Sequence, residues 1–178
     1  LLRRALFGQD TPLPPDADWQ SIFEEAVSHS VYLLVYDCLT ERERAALPKE
    51  TAVPWRQEVL SAMWYNEQLL GEQQAVLKAL SALPCVILKG SSSAACYPRP
   101  ELRCAGDIDL LLFPADVKKA EAILCARGYC PPEDEHPFHR SMHREQFLVE
   151  LHFEPPGIPS GDSGAPLREY FRYAAGEG

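Results

Sequence analysis

The chain reads as a mixed α/β protein with a helical N-terminal part and a sheet flanked by helices. Three observations predict this. Residues 19–39 and 55–80 carry apolar side chains at helical spacing. Residues 85–89, 107–113 and 145–153 are short apolar runs of strand length, the last strictly alternating. Turn-rich stretches separate these runs. The expected division is a helical subdomain at residues 1–82, an α/β core at 83–154, and a linker with the start of a further region at 155–178.

Each element has its own signal. Residues 10–18 are rich in proline and read as a linker or turn. Trp19, Ile22, Phe23, Ala26 and Val27 then fall on one helical face, and the pattern runs to about Leu39. Residues 40–54 are charged and end in a Pro-bounded loop. In the second long helix, Val59, Met63, Leu70 and Leu77 form a stripe best explained by core packing. Strand 85–89 leads into a helix at 91–97 and a Tyr97-Pro98-Arg99-Pro100 loop. Strand 107–113 follows, then a helix with Val117, Ala120, Ile123 and Leu124 on its apolar face, stopped by Gly128. A short strand is expected at 138–142. In 145–153, Phe147, Val149, Leu151 and Phe153 share one face, and Leu148, Glu150 and His152 the other. Pro, Gly and Ser after Glu154 predict a loop, and 167–175 reads as a helix start. No internal repeat is present.

Composition narrows the function. With 178 residues and 46% hydrophobic content, the chain can bury one core. A net charge of −9 and no Lys/Arg cluster give no strong nucleic-acid-binding signal. No run approaches the ~20 apolar residues of a membrane span. Cys38, Cys85, Cys96, Cys104, Cys125 and Cys130 include no Cys-x-x-Cys, and several sit in apolar segments. That usage predicts free thiols and a cytoplasmic location.

The chemistry concentrates in Gly106-Asp107-Ile108-Asp109-Leu110-Leu111-Leu112. On a strand, residues two apart share a face, so Asp107 and Asp109 point together. Adjacent like charges are costly unless a cation lies between them, and hard divalent cations prefer carboxylate oxygens. Relieving that repulsion by substitution would then raise the melting temperature in the absence of metal. Upstream, strand 85–89 ends in Lys89-Gly90-Ser91 and runs into a helix start. Ser91 and Ser92 offer caps or hydroxyls, Gly90 lets a backbone approach closely, and free N–H groups there suit an anion. A phosphate cradle before a paired-carboxylate strand suggests metal-assisted nucleotide chemistry.

The run Val86-Ile87-Leu88-Lys89-Gly90 through Tyr97-Pro98, Leu102-Arg103 and Gly106-Asp107-Ile108-Asp109-Leu110-Leu111, with the later Val149-Glu150-Leu151-His152-Phe153, resembles a poorly characterised bacterial nucleotidyltransferase family. That family lies within the DNA polymerase β-like nucleotidyltransferase superfamily. The resemblance covers roughly residues 19–154, and its motifs are specific in combination. The gap from Gly90 to Asp107 is longer than in antibiotic-modifying members and contains Pro98-Arg99-Pro100. The resemblance implies the polymerase β-like fold, with 83–154 as catalytic core and further helices beyond a truncated C-terminus. It also implies transfer of a nucleoside monophosphate from an NTP, with two Mg²⁺ ions held by Asp107, Asp109 and Glu150. Glu150 is carried over as the third acid and activator of the attacking hydroxyl.

Several roles stay open at this level. Lys89 either contacts phosphate or ends a strand at the surface. Arg103 either neutralises triphosphate or pairs with a carboxylate. His152 touches substrate, orients Glu150 or simply packs. Zinc binding by His136, His139, His143 and Cys130 fits no familiar ligand spacing, and His139 and His143 are expected at the cleft edge or in solvent. Gly-x-Ser-x-Gly is absent, and residues 157–164 lack the preceding strand of a dinucleotide loop. The acceptor (small molecule, protein or RNA), the base of the NTP and the oligomeric state are not encoded legibly. The rival reading is a catalytically inactive module that binds a nucleotide or a partner on the same fold.

Overall fold

A computed structural model describes residues 1–9, 12–14, 16–131, 136–154, 157–159 and 161–174, the last four of these by backbone alone. Parts of the 10–18 and 155–178 stretches and residue 175 therefore lie outside the described residues. The fold is mixed α/β, with helices and a four-stranded mixed sheet, consistent with a nucleotidyltransferase-like α+β fold. The chain divides into two compact units, residues 1–70 with 91–106, and residues 71–90 with 107–178.

The first unit is helical: α1 (Leu2–Phe7), α2 (Trp19–Ser28), α3 (Tyr32–Asp37), α4 (Glu41–Ala46), the first part of α5 (Lys49–Ala79), and the short α6 (Ser91–Ala94). Its core gathers on Trp55, which is fully buried. The indole lies tilted against Phe23 and Tyr36, at ring separations of 5.3 and 5.6 Å, and donates to the Tyr32 carbonyl at 3.1 Å. The single helix expected over 19–39 is broken. Ser30 adopts φ 53°, and the Val31 N–H turns back to the Ala26 carbonyl. Apolar periodicity continues across such a turn, so it is invisible to spacing alone; burial of Leu33, Leu34 and Val35 on α3 offsets the backbone strain.

The 40–54 stretch, expected to end in a Pro-bounded loop, is mostly helical and ends inside α5 instead. Thr40 and Glu43 form a capping box that starts α4. Helix α5 begins before Pro54, which loses one backbone hydrogen bond near the helix start. Burial of Thr51, Ala52 and Trp55 outweighs that loss. The buried stripe of α5 also differs from the expected one. Ala52, Trp55, Ala62, Leu69, Gln73, Val76 and Leu80 are buried, whereas Met63 and Leu70 are 44% and 48% exposed. A one-residue shift rotates a helical face by about 100°. The exposed apolar residues on α5 had blurred the true seam.

The second unit holds the sheet: β1 (Cys85–Ile87), β2 (Ile108–Leu112), β3 (His139–Arg144) and β4 (Phe147–His152), in the order β1-β2-β4-β3. It also contains α7 (Val117–Cys125) and α8 (Ala165–Ala174). The three apolar runs are strands of one sheet, as the sequence predicts. The expected 145–153 strand starts two residues later, because Glu145 takes φ 54° in the turn between β3 and β4. The helix expected at 91–97 is only the four residues of α6. Ile108, Leu110, Leu112, Met142, Val149 and Leu151 are buried on one sheet face, and Val117, Ala120 and Leu124 of α7 are buried in the same unit. A clamp stiffens the unit further. Glu72 accepts from the Tyr129 hydroxyl at 2.6 Å and from the Arg144 guanidinium, which also lies over the Tyr129 ring.

Candidate active site

Burial of Ile108 and Leu110 on one face of β2 sends Asp109 to the other. Strand β4 pairs with β2 in parallel, and the register sets Asp109 directly beside Glu150. Asp107 immediately precedes β2 on the Asp109 face. Carboxylate oxygens of Asp107, Asp109 and Glu150 all lie within 4.8 Å of one another. The structure thus brings the three acids into one cluster, with Lys89 and His152 beside them.

Asp109 is fully buried. Its Oδ1 accepts from Lys89 Nζ at 2.9 Å and from His152 Nε2 at 2.9 Å. Both carboxylates near that imidazole only accept, so Nε2 carries the proton. Burial pushes the Asp109 carboxyl up, but hydrogen bonds from His152 and Lys89, aided by Lys89 charge, hold it at about 2. Its hydrogen bond to Asp109 raises the Lys89 ammonium in turn. Glu150 divides its two oxygens, Oε2 lying 3.1 Å from His152 Nε2 and Oε1 3.7 Å from His139 Nε2. Burial pushes the His139 imidazole below its ordinary value, against the pull of Glu150.

One atom tests whether a cation fits. Asp109 Oδ2 is buried with no hydrogen-bond partner among the described residues. A buried, ionised oxygen without a partner is costly. With Oδ1 taken twice, Oδ2 is the oxygen left to a cation, and Asp107 and Glu150 supply further hard donors. The residues present therefore fit a divalent ion.

The other expected site residues sit as follows. Gly90 is buried with φ 60°, and a Cβ there would lie 3.8 Å from the Asp107 carbonyl oxygen. The left-handed turn itself requires glycine. Lys89 follows the end of β1 and points to Asp109, a partner that neither sequence reading of Lys89 included. Ser91 and Arg103 belong to the first unit. There Arg103 donates to the Cys104 carbonyl at 3.4 Å. Asn66, which sequence reasoning missed, donates to the Glu101 and Arg103 carbonyls and accepts from the Ala105 N–H at 3.1 Å. The Tyr65 hydroxyl donates to the Gly106 carbonyl at 3.0 Å.

His139 was also missed as a neighbour of Glu150. The available signal was alternation in β3, which places His139, Ser141 and His143 on one face. The register pairs His139 with His152 and Ser141 with Glu150. His136 stacks on His139 at 3.8 Å, and its Nδ1 accepts from the Phe138 N–H. His143 is exposed beside Cys130. Among the described residues, neither His136 nor His143 joins a group of potential metal ligands.

All six cysteines are free thiols, and no described helix is long and apolar enough to cross a membrane. No curated protein and no solved structure matches the chain. Residues 15–159 match the family described as "Uncharacterised nucleotidyltransferase". That span contains the whole acidic cluster and most of the chain, which therefore belongs to this family of nucleotidyltransferases.

Proposed function

We propose that this protein is a metal-dependent nucleotidyltransferase that moves a nucleoside monophosphate from an NTP to an acceptor. The observation that carries the reading is the Asp107, Asp109 and Glu150 cluster, with one buried Asp109 oxygen lacking a partner, in a chain of this family. Asp107, Asp109 and Glu150 would hold two Mg²⁺ ions. When bound, these ions supply charge neutralisation at the triphosphate and at the attacking and leaving oxygens. Asp107 and Asp109 serve the nucleotide side. Glu150, half-buried at the rim of the cluster, accepts the proton of the attacking hydroxyl. Gly90, Ser91, Lys89 and Arg103 are assigned to the phosphates, with Lys89 leaving Asp109 for the triphosphate as the nucleotide binds. His152 holds Asp109 and Glu150 in place, and residues 83–154 form the catalytic core. The free thiols fit a cytoplasmic enzyme, and a bacterial one is what the family resemblance implies. The acceptor is a small molecule, a protein or an RNA.

The alternative, a catalytically inactive module binding a nucleotide or partner, draws on one contact. Lys89 neutralises Asp109 at 2.9 Å, a charge pairing that a metal would have to displace. Incubation with labelled NTPs, Mg²⁺ and a panel of acceptors decides between them. Transfer that is lost in Asp107→Asn supports the enzyme. Mg²⁺-dependent NTP binding without transfer to any acceptor or to water supports the binding module.

A further inference from the structure

We propose that His139, Glu150 and His152 form a transition-metal site that shares Glu150 with the carboxylate cluster. One donor atom from each residue lies within 4.8 Å of the others. The set comes from two hydrogen-bonded strands, β3 and β4, whose register pairs His139 with His152. Alternation then puts both imidazoles on the Glu150 face.

The spacing suits a small tetrahedral ion. Metal bonds of about 2.0–2.1 Å place neighbouring ligand atoms about 3.3 Å apart at tetrahedral angles. The separations here are 3.7 Å for His139 Nε2 to Glu150 Oε1 and 3.1 Å for His152 Nε2 to Glu150 Oε2. Asp109 Oδ1, already engaged by Lys89, lies 2.9 Å from the same His152 nitrogen. The two imidazole–carboxylate separations, one to each Glu150 oxygen, lie on either side of that edge. His152 Nε2 has a single proton to share between two carboxylates, so a cation in its place would satisfy both more fully. The stacked His136 ring restrains His139 on its other side.

The donor chemistry selects the ion. Two imidazoles and one carboxylate are a borderline set that favours Zn²⁺ or Co²⁺, whereas Mg²⁺ prefers oxygen alone. Three protein ligands leave a position open for water or substrate. His152 Nδ1 is buried without a hydrogen-bond partner among the described residues. Metal-bound imidazoles usually donate through that second nitrogen, and its absence predicts affinity roughly 10–100-fold below a fully supported site.

The test uses the full chain and CoCl₂ without nucleotide, read by visible absorption. One equivalent of Co²⁺ is expected, with the intense absorption of tetrahedral coordination, retained in roughly a hundredfold excess of Mg²⁺. His139→Ala and the milder His139→Gln should each weaken Co²⁺ binding at least about tenfold. Circular dichroism checks that both variants stay folded. Asp107→Asn should keep the Co²⁺ spectrum. The proposal is overturned if the wild-type chain binds no Co²⁺. It is equally overturned if Mg²⁺ displaces the Co²⁺, or if Asp107→Asn abolishes binding while the His139 variants do not. Because no NTP is present, this result stands or falls separately from nucleotidyl transfer.

Discussion

His152 Nε2 donates to Asp109 Oδ1 at 2.9 Å, and both side chains are buried. The same nitrogen lies 3.1 Å from Glu150, so one imidazole ties together two acids on neighbouring strands. This contact reverses one sequence-based expectation. Repulsion alone predicts that neutralising Asp109 raises the melting temperature. The structure surrounds Asp109 with donors, so Asp109→Asn should lower it. The expected loss is about 1–3 kcal/mol, the scale of a buried charged hydrogen bond. A double-mutant cycle of Asp109→Asn with His152→Asn, followed by denaturant unfolding, should show coupling of about 1 kcal/mol or more. Additive losses would mean that the contact contributes nothing.

Asp107→Asn and Glu150→Gln should separate in their effects. Asp107 is expected to act on the bound nucleotide, so its variant loses Mg²⁺-dependent NTP binding in titration calorimetry. Glu150 is expected to act on the attacking group, so its variant keeps NTP affinity and loses turnover by a factor of about 10²–10⁴. Equal loss of NTP affinity in both variants would remove the distinct role of Glu150.

Gly90 sits at φ 60° against the Asp107 carbonyl. Gly90→Ala should cost about 1–2 kcal/mol of stability from backbone strain. Gly90→Val should in addition weaken triphosphate binding more than monophosphate binding, because the blocked backbone approach concerns the distal phosphates. Equal weakening of both ligands would assign Gly90 to the turn alone.

Glu43 predicts a pH dependence far from the acidic cluster. Its carboxyl is held at about 2 by the Arg4 guanidinium, against burial, with Thr40 also donating. The folded value lies below the ordinary one of 4.5. Its stabilisation is therefore fully present above about pH 4.5 and fades as pH falls toward 2. Glu43→Gln keeps a capping side chain and removes the charge. The stability gap between wild type and variant, on the order of 2 kcal/mol near neutral pH, should shrink as pH falls through that window. A gap that is constant from pH 6 to pH 2.5 would exclude the ion pair as its source.

The sequence by itself determined the fold class, all four strands and the faces of β2 and β4. Strand alternation is local: two residues apart means one face, and Asp107, Asp109 and Glu150 could be assigned to their faces without any long-range information. Apolar spacing likewise marked the helical N-terminal part. Tertiary structure decided what spacing cannot encode. The break at Ser30 is a single backbone angle that leaves periodicity unchanged. Helix formation through Pro54 depended on what Trp55 could bury against. The seam of α5 was chosen by packing partners, because its exposed apolar residues suggested a face rotated by one position. Within the acidic cluster, only the parallel register of β2 with β4 put Asp109 beside Glu150. Only the fold brought Lys89, twenty residues upstream, and His139, on a neighbouring strand, to those acids. Charge pairing depends on distance in space, and a contact between residues far apart in the chain leaves no local pattern to read.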